Sequence, residues 1–340
     1  MASSGKRRLA SPPDAERIPA AIQTALDTLD ASYADSPCAI AFSGGLDSTV
    51  LLHAAISALG RARCIALHIH HGLNPRADSW LAHCRALAQD WGVHYAARRI
   101  DVDACIRQQR GTEAAAREAR YPALAGLCAE HGARLALLGH QADDQAETVL
   151  LQLLRGAGLP GLAAMPLQKT EPASGLRYLR PLLTIPRALI ERYATQHHLR
   201  WIEDDSNTSA RYTRNRARQF LIPPLAAHFP AYRATLARAA RHAQQAQRLL
   251  DELAQLDLQR VTQDDGDRQT LSRAAFSALN AARAVNLLRY WMRALGLPAA
   301  SSARLEAMLR QLRDARASRI TAMNHAGRQL RVYKGQIWWE

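Results

Sequence analysis

A glycine-rich turn between an apolar run and a helical pattern constrains the fold of this chain more than any other feature. Residues 38–43 form the apolar run, Gly44 and Gly45 follow, and helical spacing continues to Leu59. Adjacent glycines let the backbone approach a ligand closely, and the helix behind them aims N–H groups and a partial positive charge outward. The segment therefore predicts a strand, a phosphate-binding loop and a helix.

The same alternation continues downstream of this turn. Three more apolar runs are each followed by helical spacing, and a shorter strand–helix pair comes after them: 64–70 and 78–91, 93–102 and 112–131, 134–139 and 142–155, 178–183 and 186–198. Strands separated by helices of this length form βαβ units, whose parallel sheet is covered on both faces. We therefore predict an α/β fold built on a doubly wound parallel sheet and followed by a smaller, mostly helical domain.

The domain organisation is predicted from changes in composition and periodicity. The predicted parts are a flexible tail (1–20), a nucleotide-binding catalytic domain (21–228), a helical connector rich in Arg, Ala and Gln (229–260), and a helical domain with a terminal hairpin (261–340). Within the last part, residues 262–269 predict a polar break. The alternation over residues 319–339, around Asn324 to Gly327, predicts a hairpin.

Charge and cysteine usage narrow the class of protein. The 44 basic and 30 acidic residues give a net charge of +14, which favours a polyanionic partner such as nucleic acid. All but three of the basic residues are arginines in an alanine-rich chain, a skew that genome composition also produces. The five cysteines form no C-x-x-C pair, which argues against a disulfide framework, a zinc site or an iron–sulfur cluster and favours reduced core residues. Without a long apolar run or a secretory signal, we expect a cytoplasmic protein with no membrane partner.

The glycine-rich turn carries side chains suited to phosphate. Its six residues are Ser43, Gly44, Gly45, Leu46, Asp47 and Ser48. The serine hydroxyls offer donors, and Asp47 offers a carboxylate to a magnesium ion that bridges phosphates. The spacing is neither that of a Walker A loop nor that of a dinucleotide fingerprint. A tight turn with a polar cap is the plainer alternative.

Three further segments carry candidate site residues. Residues 68–73 place His68, His70 and His71 at the end of the second strand, where a ligand sits in a doubly wound sheet, unless they form a loop of surface histidines. Residues 111–121 begin a helix on which Glu113, Arg117 and Arg120 share a face, an arrangement that a solvated helix also shows.

The third segment, residues 139–148, places two carboxylates on one helix face. Asp144 and Glu147 lie three residues apart, and because like charges repel, the pair invites a metal ion or a substrate ammonium. Acids also favour a helix N-terminus through the macrodipole, at about 0.3–1 kcal/mol each. That effect explains one acid better than a cluster.

These motifs together resemble a known family. The loop at 43–48 resembles the pyrophosphate loop of adenylating enzymes related to the ATP-pyrophosphatases. With the segments at 155–162, 180–183, 201–207 and 214–218, the chain resembles the tRNA(Ile)-lysidine synthetases, densely from 38 to 224 and more loosely afterwards. The resemblance implies ATP and Mg²⁺ as cofactors. It implies adenylation of the 2-oxygen of the wobble cytidine in the isoleucine tRNA with a CAU anticodon, then displacement of AMP by the amine of free L-lysine, which changes methionine identity to isoleucine identity.

The resemblance also implies roles for individual residues. Ser43 to Ser48 would hold the ATP phosphates with Asp47 on magnesium, His140 would lie at the nucleotide, and Arg117 and Arg120 near the phosphates or the cytidine. Asp144 and Glu147 would bind the ammonium groups of lysine, with Glu113 and Glu203 as the next candidates. Arg214 and Arg218 would grip phosphate or the lysine carboxylate, or belong to a general RNA-facing surface. The expected catalytic set is Asp47, Arg117, Arg120, Asp144 and Glu147.

Some features depart from the family or leave alternatives open. Gln141 stands where many relatives have a second histidine. Longer relatives continue into a further domain, so we expect tRNA binding by the first domain, the connector and the helical domain. The sequence leaves open whether the chain forms a homodimer. A tRNA sulfur transferase with the same loop and a basic RNA-binding protein with a decayed loop are the competing interpretations.

Overall fold

The computed structural model describes residues 14–72, 74–100, 112–203, 213–265, 268–315 and 320–340. The chain divides into two compact units, Met1–Arg241 and His242–Glu340. In the described part of the chain, no helix is both long enough and apolar enough to cross a lipid bilayer.

The first unit is built on a six-stranded sheet. Its strands are β1 (Cys38–Ala41), β2 (Cys64–His70), β3 (His94–Arg99), β4 (Leu135–Leu137), β5 (Gln168–Thr170) and β6 (Arg177–Leu179). Their order is β3-β2-β1-β4-β6-β5, and every pairing is parallel except that of β5 with β6. The parallel sheet confirms the predicted α/β fold.

Helices cover both faces of this sheet. They are α1 (Asp14–Leu26), α2 (Leu46–Leu59), α3 (Ala77–Asp90), α4 (Thr112–Glu130), α5 (Ala142–Leu154), the single turn α6 (Leu159–Leu162) and α7 (Arg187–Gln196). Apolar residues of α2 such as Val50 and Leu51 are fully buried in one core, and Leu124 and Leu127 of α4 are buried in another. The strand order reverses between β1 and β4, so the crevice beyond their carboxyl ends is the topological switch point where ligands bind in such sheets.

Part of the predicted flexible tail is a helix. Helix α1 begins at Asp14, and its Ile18 and Ile22 are completely buried. These residues and Ala25 share one helix face by their i, i+4, i+7 spacing, and that face packs against α2 and α7. The tail prediction is therefore wrong for residues 14–20, where Pro19 disguised a helix; residues 1–13 lie outside the described part of the chain.

The end of the first unit is helical. It comprises α8 (Thr213–Arg216), a π-helical turn (Ala217–Leu221), α9 (Ile222–His228) and the start of α10 (Tyr232–Val261). Helix α10 corresponds to the predicted connector and passes the boundary between residues 241 and 242.

The second unit combines helices with an antiparallel sheet. Its other elements are α11 (Arg273–Ala278), α12 (Ala281–Ala294), α13 (Ser302–Asp314), β7 (Thr262–Asp265), β8 (Arg268–Ser272), β9 (Thr321–His325), β10 (Arg328–Tyr333) and β11 (Gln336–Trp339), with strand order β7-β8-β11-β10-β9. The β9–β10 pairing confirms the predicted hairpin. The predicted polar break at 262–269 is wrong for the residues that the structure describes there, because Thr262–Asp265 forms β7 and residues 268 and 269 begin β8, its antiparallel neighbour. The polar sequence of β7 suits a strand at the edge of the sheet, whereas Leu271 on β8 is buried.

Candidate active site

The glycine-rich loop lies directly after β1, as predicted, and its shape requires glycine. Gly44 has a φ of +81°, and a Cβ there would lie 2.6 Å from Ile202 Cδ1 and 2.7 Å from Cys84 Sγ. The Ile202 N–H donates to the Gly44 carbonyl at 2.8 Å, while Gly45 caps the N-terminus of α2. The loop therefore presents the first turn of α2 to the crevice, where helical N–H groups lack partners within the helix.

The two serines of the loop hold its conformation. Ser48 Oγ accepts from the Ser43 N–H at 3.2 Å and donates to the Gly45 carbonyl at 3.0 Å. The two hydroxyl oxygens are also 3.0 Å apart. The two serines are thus hydrogen-bonded within the loop. They stabilise its conformation and also line the space where phosphate would bind.

Asp47 is a half-buried residue with one carboxyl oxygen fully buried. Its Oδ1 has no hydrogen-bond partner within the described residues. Burial and then the charge of Asp144 raise the pKa of Asp47 to about 7, opposed by Arg187 and Arg218. Within the described ranges no group of three or more His, Cys, Asp or Glu side chains could hold a metal ion. Asp47 therefore fits Mg²⁺ as one ligand among phosphate and water oxygens.

A cavity of about 230 Å³ opens at the carboxyl ends of β1, β2 and β4. One part of its lining is polar, comprising Ser43, Asp47, Ser48, His71, Arg120, His140 and Asp144. Another is apolar, comprising Phe42, Leu67, Ile69, Leu124 and Leu138. The structure thus brings together the phosphate loop and residues from three other predicted segments.

The histidines at the end of β2 are not a surface loop. His68 is buried with Nδ1 2.9 Å from the Phe42 carbonyl oxygen, and the buried His70 places Nε2 3.2 Å from Asp78 Oδ1. His71 lines the cavity, where burial and then the charge of Arg120 lower its pKa to about 4. Its imidazole is therefore neutral at physiological pH.

The N-terminus of α5 is fixed by a capping box. The Gln141 side chain accepts from the Asp143 N–H at 2.6 Å, and Asp144 Oδ2 accepts from the Gln141 N–H at 3.1 Å. Gln141 is only 1% exposed. The residue that departs from the family pattern is therefore a helix cap that holds Asp144 in place.

The two predicted carboxylates pair with the two predicted arginines: Arg218 contacts both acids, and Arg214 contacts Glu147. Arg218 donates to Asp144 Oδ1 at 2.8 Å and, through Nε, to Glu147 Oε1. Arg214 Nε lies 3.4 Å from Glu147 Oε2, and its Nη2 donates to Thr148 Oγ1 at 3.1 Å. Burial raises the pKa of Glu147, which is 2% exposed. The cation that these acids were predicted to attract is, in this structure, the guanidinium of Arg218.

One anchor of this helix was not predicted. Asp143 Oδ1 accepts from Arg233 Nε at 2.5 Å and lies 3.3 Å from the hydroxyl of Tyr232, and its Oδ2 accepts from the Arg187 N–H at 3.0 Å. Asp143 thus ties α5 to the starts of α7 and α10. The adjacent acids Asp143 and Asp144 hinted at a second role, but the sequence carries no signal for partners 44 and about 90 residues away.

Other predicted residues are only partly described. The side chains of Glu113 and Arg117 lie outside the described part of the structure, as do residues 204–212. Glu203 is exposed and does not line the cavity. The described cysteines, Cys38, Cys64, Cys84 and Cys128, are reduced and buried as predicted, and Cys105 lies outside the described residues.

Comparison with known proteins identifies both units. Residues 18–225 match a family described as a PP-loop domain, and residues 271–338 match the TilS substrate binding domain. A tRNA(Ile)-lysidine synthase of Burkholderia mallei (strain ATCC 23344) is 56% identical over 90% of this chain, which spans 62% of that protein. Another, of Bordetella bronchiseptica (strain ATCC BAA-588 / NCTC 13252 / RB50), is 42% identical over 96% of this chain and 94% of its own length.

A solved structure shares the fold at low identity. The U34-tRNA thiolase NcsA from Methanococcus maripaludis, with its [4Fe-4S] cluster, aligns with a TM-score of 0.55 and 16% identity. The alignment covers 66% of this chain and 78% of that one. It supports the fold of the parallel-sheet unit.

Proposed function

The chain belongs to the tRNA(Ile)-lysidine synthase family, and from this premise we propose that it uses ATP to join free L-lysine to the wobble cytidine of the isoleucine tRNA with a CAU anticodon. One observation carries the proposal. Asp47 of the phosphate loop, whose Oδ1 has no hydrogen-bond partner among the described residues, shares a cavity with Asp144, which Arg218 joins to Glu147. A site for a nucleotide and a site for an ammonium group are thus adjacent. We place this reaction in the cytoplasm, with its tRNA substrate.

The first half-reaction is adenylation of the cytidine. The loop and the N-terminus of α2 bind the phosphates, and Asp47 would hold a Mg²⁺ ion, whose charge would offset that of the phosphates. The apolar part of the cavity takes the adenine, with the neutral imidazole of His71 beside it. The 2-oxygen of the cytidine then attacks the α-phosphorus, and the bond to pyrophosphate breaks. Arg120, which lines the same cavity, offsets the negative charge that develops there.

The second half-reaction is displacement of AMP by lysine. Asp144 and Glu147 bind lysine through its ammonium charge. The attacking amine loses its proton to solvent and forms a bond to C2 of the cytidine, while the bond between C2 and the oxygen that leaves with AMP breaks. Both acids are occupied by Arg218 in this structure. The incoming ammonium must therefore displace that guanidinium, which becomes available to the lysine carboxylate.

The two competing interpretations fit this chain less well. A sulfur transferase needs a reactive thiolate, but burial raises the pKa of Cys64 to about 11 and of Cys84 and Cys128 to about 12. A protein with a decayed loop gains nothing from Asp47, because burial destabilises the charged form of its carboxyl group and one oxygen has no hydrogen-bond partner among the described residues.

Mass spectrometry of the tRNA tests the proposal. Isoleucine tRNA with a CAU anticodon is incubated with the full chain, ATP and L-lysine, then digested. We expect the anticodon fragment to gain one lysine, with pyrophosphate released only when tRNA is present. An unmodified fragment under conditions in which the protein binds both ATP and tRNA would overturn the proposal.

A further inference from the structure

Two of the four phenylalanines of this chain lie on its surface. Phe220 is 66% exposed and Phe229 is 65% exposed, whereas Phe42 and Phe276 are buried. An exposed ring forgoes the stabilisation that burial would give it. Two such rings within ten residues therefore indicate a surface that something else covers.

Both phenylalanines lie close in sequence to residues that contact the N-terminal half of α5. Phe220 follows by two residues Arg218, which contacts Asp144 and Glu147. Phe229 precedes by three residues Tyr232, whose hydroxyl lies 3.3 Å from Asp143 Oδ1. A chain spans at most about 3.6 Å per residue, so the Cα atoms lie within about 7 and about 11 Å of those of Arg218 and Tyr232. Both rings therefore belong to the stretch of chain whose side chains contact the helix that carries the carboxylates of the site.

The chain around these rings is uniformly basic. Residues 213–241, here called the basic segment, contain no Asp or Glu and six arginines: Arg214, Arg216, Arg218, Arg233, Arg238 and Arg241. Of these, Arg216, Arg238 and Arg241 are exposed. Exposed aromatic rings among arginines complement a polyanion with accessible planar bases, which is single-stranded RNA. In a duplex the base faces are stacked and inaccessible, and an apolar protein partner would not complement the positive charge of the arginines.

We propose that Phe220 and Phe229 stack on unpaired bases of the tRNA anticodon loop while arginines of the basic segment bind its phosphates. Stacking beside α5 positions the loop so that one base reaches the cavity. The identity of the RNA rests on the proposed function, whereas the stacking itself does not. Replacing an aromatic residue that stacks on a base weakens binding by roughly 5- to 150-fold per ring.

Fluorescence anisotropy with a labelled anticodon stem-loop of the CAU isoleucine tRNA tests this inference on the full chain. We expect Phe220→Ala and Phe229→Ala each to weaken binding by about 5- to 150-fold. Phe→Trp at either position should retain the affinity, and Phe→Leu should lose as much as alanine. Leu249→Ala is the matched control, because Leu249 is an equally exposed apolar residue at 65% and lacks a ring, so its affinity should not change.

The outcomes separate stacking from its alternatives. Wild-type affinity in the Phe→Leu variants would overturn stacking and favour an apolar protein partner. Equal losses with a stem-loop whose loop bases are paired would overturn it too. Melting curves of both Phe→Leu variants check the fold. If wild-type protein incorporates no lysine but loop binding still depends on the rings, the proposed function fails alone; if it modifies tRNA and the rings have no effect, this inference fails alone.

Discussion

At the scale of single residues, Asp47 would need a negative charge to hold Mg²⁺, but burial disfavours the charged form of its carboxyl group. One oxygen of Asp47 has no donor among the described residues, and burial raises the pKa of the group well above its ordinary value, to about 7. Since its folded-state pKa is raised, the folded protein binds a proton more tightly than the unfolded chain, and stability falls as pH rises from about 4 to about 7. A bound cation would remove this conflict.

The substitution Asp47→Asn should separate stability from activity. We expect product formation to be abolished, because the amide cannot hold Mg²⁺ against the phosphates. The variant should nevertheless melt higher than wild type above pH 7, by about 2–4 °C for each kcal/mol recovered. The difference should vanish below pH 4, where both forms are neutral. Thermal melts across this pH range and the tRNA assay measure both effects; near-normal modification would refute the assignment.

The carboxylates at 144 and 147 are expected to serve the second half-reaction. A charge-assisted contact contributes about 1.5–3 kcal/mol, so Asp144→Asn and Glu147→Gln should each raise the apparent KM for lysine by roughly ten- to a hundredfold. The KM for ATP should change far less, and adenylated tRNA should accumulate.

Pyrophosphate release and lysine incorporation are measured on the same samples of these variants. Melting curves of each variant show whether weakening the ion pairs with Arg218 and Arg214 lowers the stability of the protein. Equal loss of both activities would assign the carboxylates to magnesium or the nucleotide.

At the scale of elements, periodicity predicted the βαβ units because each strand and helix buries apolar residues locally. The phosphate loop was equally predictable from sequence. Only glycine fits at position 44, where φ is positive and Ile202 and Cys84 leave no room for a Cβ atom. Contacts distant in sequence were not predictable. The bond between Asp143 and Arg233 joins residues 90 apart, and the pairing of Asp144 with Arg218 joins residues 74 apart. Helix α1 was hidden by Pro19, and β7 by its polar edge position.

The cap of α5 gives a prediction at this scale. Gln141→Ala removes the acceptor of the Asp143 N–H and should destabilise the protein by roughly 0.5–2 kcal/mol, as loss of an N-cap does. Because the main-chain N–H of residue 141 that holds Asp144 remains in the variant, the KM for lysine should change far less than in Asp144→Asn. Gln255→Ala is the matched control, since that exposed glutamine makes a single side-chain bond to Tyr290. Thermal melts that rank the control as the more destabilised variant would contradict this role.

At the scale of the whole molecule, charge is distributed unevenly along the sequence. The net charge is +14, yet the basic segment contains no acid at all. Electrostatic binding of RNA depends on how many phosphates are neutralised, not on net charge alone, because each neutralised phosphate releases condensed counterions. The salt dependence of tRNA binding therefore reports where the contacts lie.

We expect the affinity of the full chain for tRNA to fall steeply with salt, with a slope of log K against log salt of roughly −0.7 to −0.9 per phosphate contact. Arg238→Gln and Arg241→Gln, in the basic segment, should each reduce that slope by about one. Arg61→Gln is the matched control. This exposed arginine precedes the amino end of β2, whereas the cavity lies at the carboxyl ends of the strands, and its loss changes net charge equally. Binding isotherms at several salt concentrations measure all three slopes. If Arg61→Gln flattened the dependence as much as the other two, tRNA would be held by overall charge, and the basic segment would have no particular part in binding.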